Sequence, residues 1–298
     1  MVSGFVAMLV IGIVAIASVV LITHTKSAEP TSTAEAAPSE APAPQGPAGT
    51  PQPTTTGSPG DPAAAGAQAK GPTTAAPTRP SPTATATARS GPKPIGSWPL
   101  GSTAAALGTD ATGAHPATAQ NVTRGSGHGG SGVFNGTSSQ LTTSGPVLDT
   151  AAGASFTVSA WVYLTKSTFF ATAVSQDGGV NSAFFLQYSS ADKRWAFARV
   201  RADATNSAGI RALSSSPAPL NTWTHLVGVF TAGTGTLRLY VNSVAQRTAT
   251  DTTPFAASGP LAIGRARFNG KPTDWFPGQI NDVKVFDHAL TAGQVKQV

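Results

Sequence analysis

From Thr23 to Pro94 the sequence runs for 72 residues without a single Val, Ile, Leu, Met, Phe, Trp or Tyr. Such a stretch has no large apolar side chain to bury, so nothing offsets its chain entropy and it cannot form a domain. The 298 residues therefore divide into an apolar N-terminus (1–24), a polar stretch (25–95) and a block (96–298) that holds 20 of the 21 aromatic residues. That block is long enough for one sizeable core. With no cysteine in the chain, a disulfide framework, a thiol nucleophile and a thiolate metal site are all excluded.

Residues 2–23 carry no charge, and ~20 such residues at ~1.5 Å each span a hydrocarbon layer of about 30 Å. A single-pass transmembrane anchor is expected. A cleaved signal peptide fits less well, because no Lys or Arg precedes the run and Lys26-Ser27-Ala28 puts a lysine where a small side chain is wanted. The polar stretch carries 15 prolines among Ala, Thr, Ser and Gly, with five basic and four acidic residues nearly cancelling. Proline removes donors and favours extended polyproline II, so a disordered, semi-stiff linker is expected. A long spacer ahead of a β-rich domain holds that domain off a surface. The C-terminal block is accordingly placed outside the cell membrane, and the composition suits a high-GC, actinobacterial-type envelope.

The block reads as all-β. Phe156, Val158, Ala160, Val162 and Leu164 alternate with Thr157, Ser159, Trp161 and Tyr163, a period of two that belongs to a strand. Similar runs follow at 169–176, 183–188, 194–201, 223–231, 236–242, 260–265 and 278–286, with a Gly-bearing hairpin connection at 232–235. Thr291 is placed to cap a short helical turn over the last residues.

The ordered motifs Gly132-Val133-Phe134-Asn135-Gly136, Phe156–Val162, Trp223–Phe230, Leu237–Asn242, Leu261–Arg265 and Phe276–Phe286 together resemble the laminin-G-like jelly roll of the concanavalin A-like lectin/glucanase superfamily, over about 98–298. The resemblance implies a two-sheet antiparallel sandwich that recognises a ligand through its loops or concave sheet. It also implies that Trp161 and Trp223 are core tryptophans and that Trp98 belongs to the opening strand. In several members a calcium ion is held near two of these motifs. Here those positions are Asn135 and Asp282, and an Asn in place of an acid removes charge that calcium favours. Calcium is the one cofactor the resemblance brings in.

Composition argues against catalysis. The three glutamates (Glu29, Glu35, Glu40) all precede the block, whose nine aspartates show no pair at strand spacing, while glycoside hydrolysis needs two carboxylates in fixed positions. No G-x-S-x-G elbow is present, and the block's four histidines are far apart. The expected function is non-catalytic recognition of carbohydrate or of an extracellular or envelope protein. A glycosidase-like enzyme of the same superfamily and a purely adhesive domain are the alternatives. Trp275 and Trp195, each beside charges near a strand edge, are candidate sugar platforms. Arg265 and Arg267 are candidate ligand contacts within a block of net charge +5, in which Arg194, Arg199, Arg201 and Arg211 form a second basic group. Nucleic-acid motifs are missing.

Overall fold

Alternation decides the architecture, because each strand has one apolar row that must be covered. In the computed structural model, which describes residues 91–101 and 105–298, that cover is supplied by two antiparallel sheets face to face. The elements in chain order are β1 (Gly96–Trp98), β2 (Ala117–Gln120), β3 (Thr123–Gly125), β4 (Ser131–Asn135), β5 (Gln140–Thr143), β6 (Phe156–Leu164), β7 (Ala171–Asp177), β8 (Ser182–Ser189), β9 (Arg194–Val200), β10 (Gly209–Pro217), β11 (Trp223–Thr231), β12 (Thr236–Val241), β13 (Val244–Thr250), β14 (Leu261–Ile263), β15 (Ala266–Phe268), β16 (Lys271–Thr273), β17 (Pro277–Phe286) and α1 (Ala292–Val295). The larger sheet runs β13-β12-β11-β6-β17-β4-β3, with β1 added beside β17. The smaller runs β10-β9-β8-β7-β14-β5-β2, and β15 and β16 form a separate hairpin.

The expected jelly-roll sandwich is present, and each of the eight runs read from the sequence overlaps a strand, although Phe169 and Phe170, read as strand, lie in the loop before β7. The opening strand expected at Trp98 is β1; the strands not anticipated are short (β2, β3, β5, β15, β16) or carry mixed, half-exposed sequence (β10, β13). Among the described residues no helix is long and apolar enough to cross a membrane. The apolar segment 2–23, and the Pro-rich stretch as far as residue 90, lie outside the described residues.

Between the sheets the alternating row of β6 meets Phe184, Leu186 and Phe197 of the smaller sheet, all fully buried. Phe156 is the hub, its ring 5.1 Å from that of Phe184, 6.1 Å from Phe197 and 5.6 Å from Phe230. Gly228 faces this cluster, where a methyl group would run into the ring of Phe197. A second apolar patch lies on the outer face of the larger sheet, where Val227, Val229, Tyr240 and Phe286 are covered by Leu290 and Val295 from the C-terminal tail. The tail is fixed by a reciprocal cap between Thr291 and Gln294 at the start of α1.

The chain's first described strand is part of the core. Trp98 is fully buried, and Asp110 accepts bonds from the backbone N–H groups of Ser97, Thr112 and His115. Burial works against the Asp110 charge, but the Thr112 hydroxyl and these N–H groups outweigh it and hold the carboxyl below its ordinary range.

Arg199 is the exception in the apolar interior. It is fully buried and pairs with Asp251 at 2.9 Å, donates to the Thr150 carbonyl at 2.9 Å, and lies 4.7 Å from the centre of the Phe230 ring. Its Nη1 has no hydrogen-bond partner among the described residues. Burial outweighs the pull of Asp251 and brings the guanidinium down to about 10. Removing either member would leave the other charged and without its ion-pair partner in the interior. Asp251→Ala should cost about 3–5 kcal/mol in urea unfolding, whereas Arg199→Met with Asp251→Leu should recover most of that loss.

Candidate functional site

The loop following β6 and the segment joining β16 to β17 rise on either side of one end of the smaller sheet's outer face. That segment is stitched down on both flanks: the Thr172 N–H donates to the Asp274 carbonyl at 2.8 Å, and the Phe276 N–H to the Gly264 carbonyl at 2.9 Å. Phe276 is fully buried between them. The half-buried Trp275 is therefore presented by fixed backbone. Asp274 turns the chain with a left-handed φ of 53°, a conformation that Asp tolerates better than most residues.

Two connected depressions meet at Phe170 and Asp274, which line both. The inner one, about 180 Å³, has a floor of Phe185, Ala198 and Val200 and a wall of Phe268, with Gln187 and Arg211 at its polar margin. The outer one, about 470 Å³, is lined by Trp275, Phe169, Lys166, Asn135, Thr137 and Ser190 among others. Phe169 is 78% exposed, so an apolar ring stands at the lip. Burial pushes the Asp274 carboxyl up to about 6, against the Thr273 hydroxyl bonded to it. Among the described residues, Asp274 is the one carboxylate lining the groove.

Of the six residues named from the sequence, the groove brings together Trp275 and Asn135. Trp195 does not join them. It is 1% exposed, because it falls on the inward row of β9, and it packs edge-on to Tyr188 at 6.2 Å. Arg265 is also buried: its Nη1 grips both Asp177 oxygens, at 2.7 and 2.6 Å, and its Nε donates to Gln140. Arg267 is half-buried, with its Nε on the Gly179 carbonyl, away from the groove lining.

Asn135 and Asp282 do not form one cation site. Asn135 pairs with Pro277 across the β4–β17 ladder, and Asp282 lies five residues further along β17, about 16 Å at the usual strand rise. The Asn135 carbonyl oxygen already accepts from the N–H groups of Thr137, Ser138 and Ser139, and Asp282 is paired with Lys284. Among the described residues no three His, Asp or Glu side chains gather as a metal-holding group.

Trp161 and Trp223 are not core residues either. They stand half-buried on the outer face of the larger sheet, as the alternation of β6 itself requires, under His128 of the glycine-rich loop at 4.1 and 5.0 Å between ring centres. His225 stacks on Trp161 at 4.9 Å and shares a hydrogen bond of 2.8 Å with Ser159. This Ser–His contact is closed to substrate, with both residues 3% exposed or less. The groove residues missed in the sequence are Lys166, Phe170, Gln187 and Asp274. The only local signal was the Phe169-Phe170 doublet, which alternation could not assign to a face.

Over residues 135–296 the chain matches the sequence profile of the concanavalin A-like lectin/glucanases superfamily. It belongs to that superfamily. Among solved structures it is similar to the binding domain of botulinum neurotoxin serotype G, with a TM-score of 0.53 at 16% identity, covering 69% of this chain and 50% of that one. The serotype D binding domain gives 0.52 at 14%, covering 68% and 50%, so this chain spans about half of either. Domain 4 of the arabinanase AbnA from Geobacillus stearothermophilus gives 0.46 at 19%, covering 70% and 98%. No curated protein matches the chain.

Burial first of all, against the nearby Asp282, pulls the His225 imidazole down to about 4 from its usual 6.5. Below pH 6.5 the unfolded chain binds this proton and the folded one does not, so stability should fall as pH drops from 6.5 toward 4. The expected slope is about 1.4 kcal/mol per unit. His225→Gln should flatten that part of the profile in urea midpoints measured at pH 7, 5.5 and 4.5.

Proposed function

We propose that this domain is a non-catalytic binding module that holds a carbohydrate chain along the groove, with Trp275 as its stacking platform. The observation that carries the reading is the groove's composition. An indole and two phenylalanines offer apolar faces to the C–H faces of sugar rings, while Asn135, Thr137, Ser190, Gln187 and Asp274 surround them with hydroxyl, amide and carboxyl groups. Few polar groups converging on an apolar concavity is the usual make-up of a ligand site.

Hydrolysis is disfavoured because a glycosidase of either stereochemical outcome needs a second carboxylate, about 5–9.5 Å from the first. Three of the acids elsewhere are occupied in ion pairs: Asp177 with Arg265, Asp251 with Arg199, Asp192 with Arg211. We place the module outside the cell, with residues 2–23 as anchor and 25–95 as spacer, on the sequence argument above. No part of this reading needs calcium.

The test is a glycan array probed with the full chain in detergent. Binding to at least one glycan is expected, weakened tenfold or more by Trp275→Ala with an unchanged near-ultraviolet circular dichroism spectrum outside the lost indole signal, and indifferent to chelator. Release of reducing sugar from the bound glycan would sink the proposal.

A further inference from the structure

Resting on that reading, we propose that the carbohydrate is an acidic one, a polymer of uronic-acid type whose carboxylate is met in the outer part of the groove by Lys166. Four of the basic groups singled out in the sequence are already engaged within the domain. Arg199 and Arg265 are buried in ion pairs, Arg211 is paired with Asp192 at 3.0 Å, and Arg194 donates to the carbonyls of Ser214 and Ser215. Lys166 differs: it is exposed, lines the groove beside Phe169, Phe170 and Trp275, and makes no ion pair with any described residue. A cation against apolar walls acts on a ligand through less screening water than one on open surface. A ligand carboxylate in the outer groove would add an ion pair with Lys166 that a neutral sugar cannot form.

The groove's acid reinforces this. Among the described residues, no cation lies within ion-pair distance of Asp274. The charged groups lining the groove with it are Lys166 from the loop after β6, Arg199 of β9 with its partner Asp251, and Arg211 of β10 with its partner Asp192; no histidine is among them. Burial sets its titration at about 6. Below that pH it carries a hydroxyl that donates to a ligand carboxylate, and above it a charge that repels one. A uronate, with a pKa near the ~3.5 of an α-carboxyl, stays ionised throughout. An acidic polymer should therefore bind more tightly as pH falls from 7.5 to 5. A neutral glycan that uses Asp274 as acceptor should show the reverse.

The experiment measures binding of the full chain, in detergent, to polygalacturonate, alginate and hyaluronate, each beside its carboxyl-reduced neutral form, at pH 5.0 and 7.5. At least one acidic polymer should be preferred tenfold or more over its reduced form and gain several-fold at pH 5.0. Lys166→Ala should erase the preference and Lys166→Arg restore most of it, while Asp274→Asn should remove the pH dependence. Equal binding of reduced and acidic forms, or indifference to Lys166→Ala, overturns the acidic assignment; if that binding still needs Trp275, the groove reading stands. Failure of every acidic polymer, with a neutral glycan captured on the array, also overturns only the acidic assignment. Failure of all glycans overturns both.

Discussion

Everything in this domain is organised by the space between two sheets that only large apolar side chains can fill. Phe156 and the rings around it occupy that space, and the strict alternation of β6 commits its other row to the outside. Once the inner faces are spent in this way, recognition is left to the outer faces and the loops at their ends. The groove lies where the smaller sheet's outer face is walled by two such loops. The equivalent surface of the larger sheet is closed off by the chain's own C-terminal tail and by the glycine-rich loop over Trp161.

Much of the fold was legible because the core strands are long and their pattern is unambiguous. β6 and β11 each run nine residues, and β17 ten. β10 and β13 were not legible, since they lie at sheet edges and mix a few apolar residues with polar and small ones. Tryptophans were harder still. Trp161 resembled a core residue by family pattern, yet it sits at an odd position in a strand whose even positions face inward, and the period was the better guide. Trp195 failed for the converse reason: flanking charges suggested exposure, but Lys193 and Arg194 belong to the turn and strand start while the indole points in.

Arginine use explains why charge counting misled. A guanidinium offers five donors in a plane and is less strongly hydrated than an ammonium, so it can be taken into a core if enough acceptors surround it. Arg199 and Arg265 serve this purpose: Arg199 ties β9 to the segments around Thr150 and Asp251, and Arg265 ties the end of β14 to β7 and β5. The lysine at the groove, a compact and well hydrated charge, stays at the surface, and the sequence around it gave no sign of its setting.

β17 joins the two ends of this design. Trp275 precedes its first residue by two, and β1 pairs with its far portion through Gly96–Val285, Ser97–Lys284 and Trp98–Val283. A load applied to the chain ahead of residue 96 and resisted at the groove would thus run along the length of β17. The three rungs joining β1 to it, with Trp98 locked beneath, would be sheared together instead of unzipped one by one, the arrangement in which a short ladder holds best against tension.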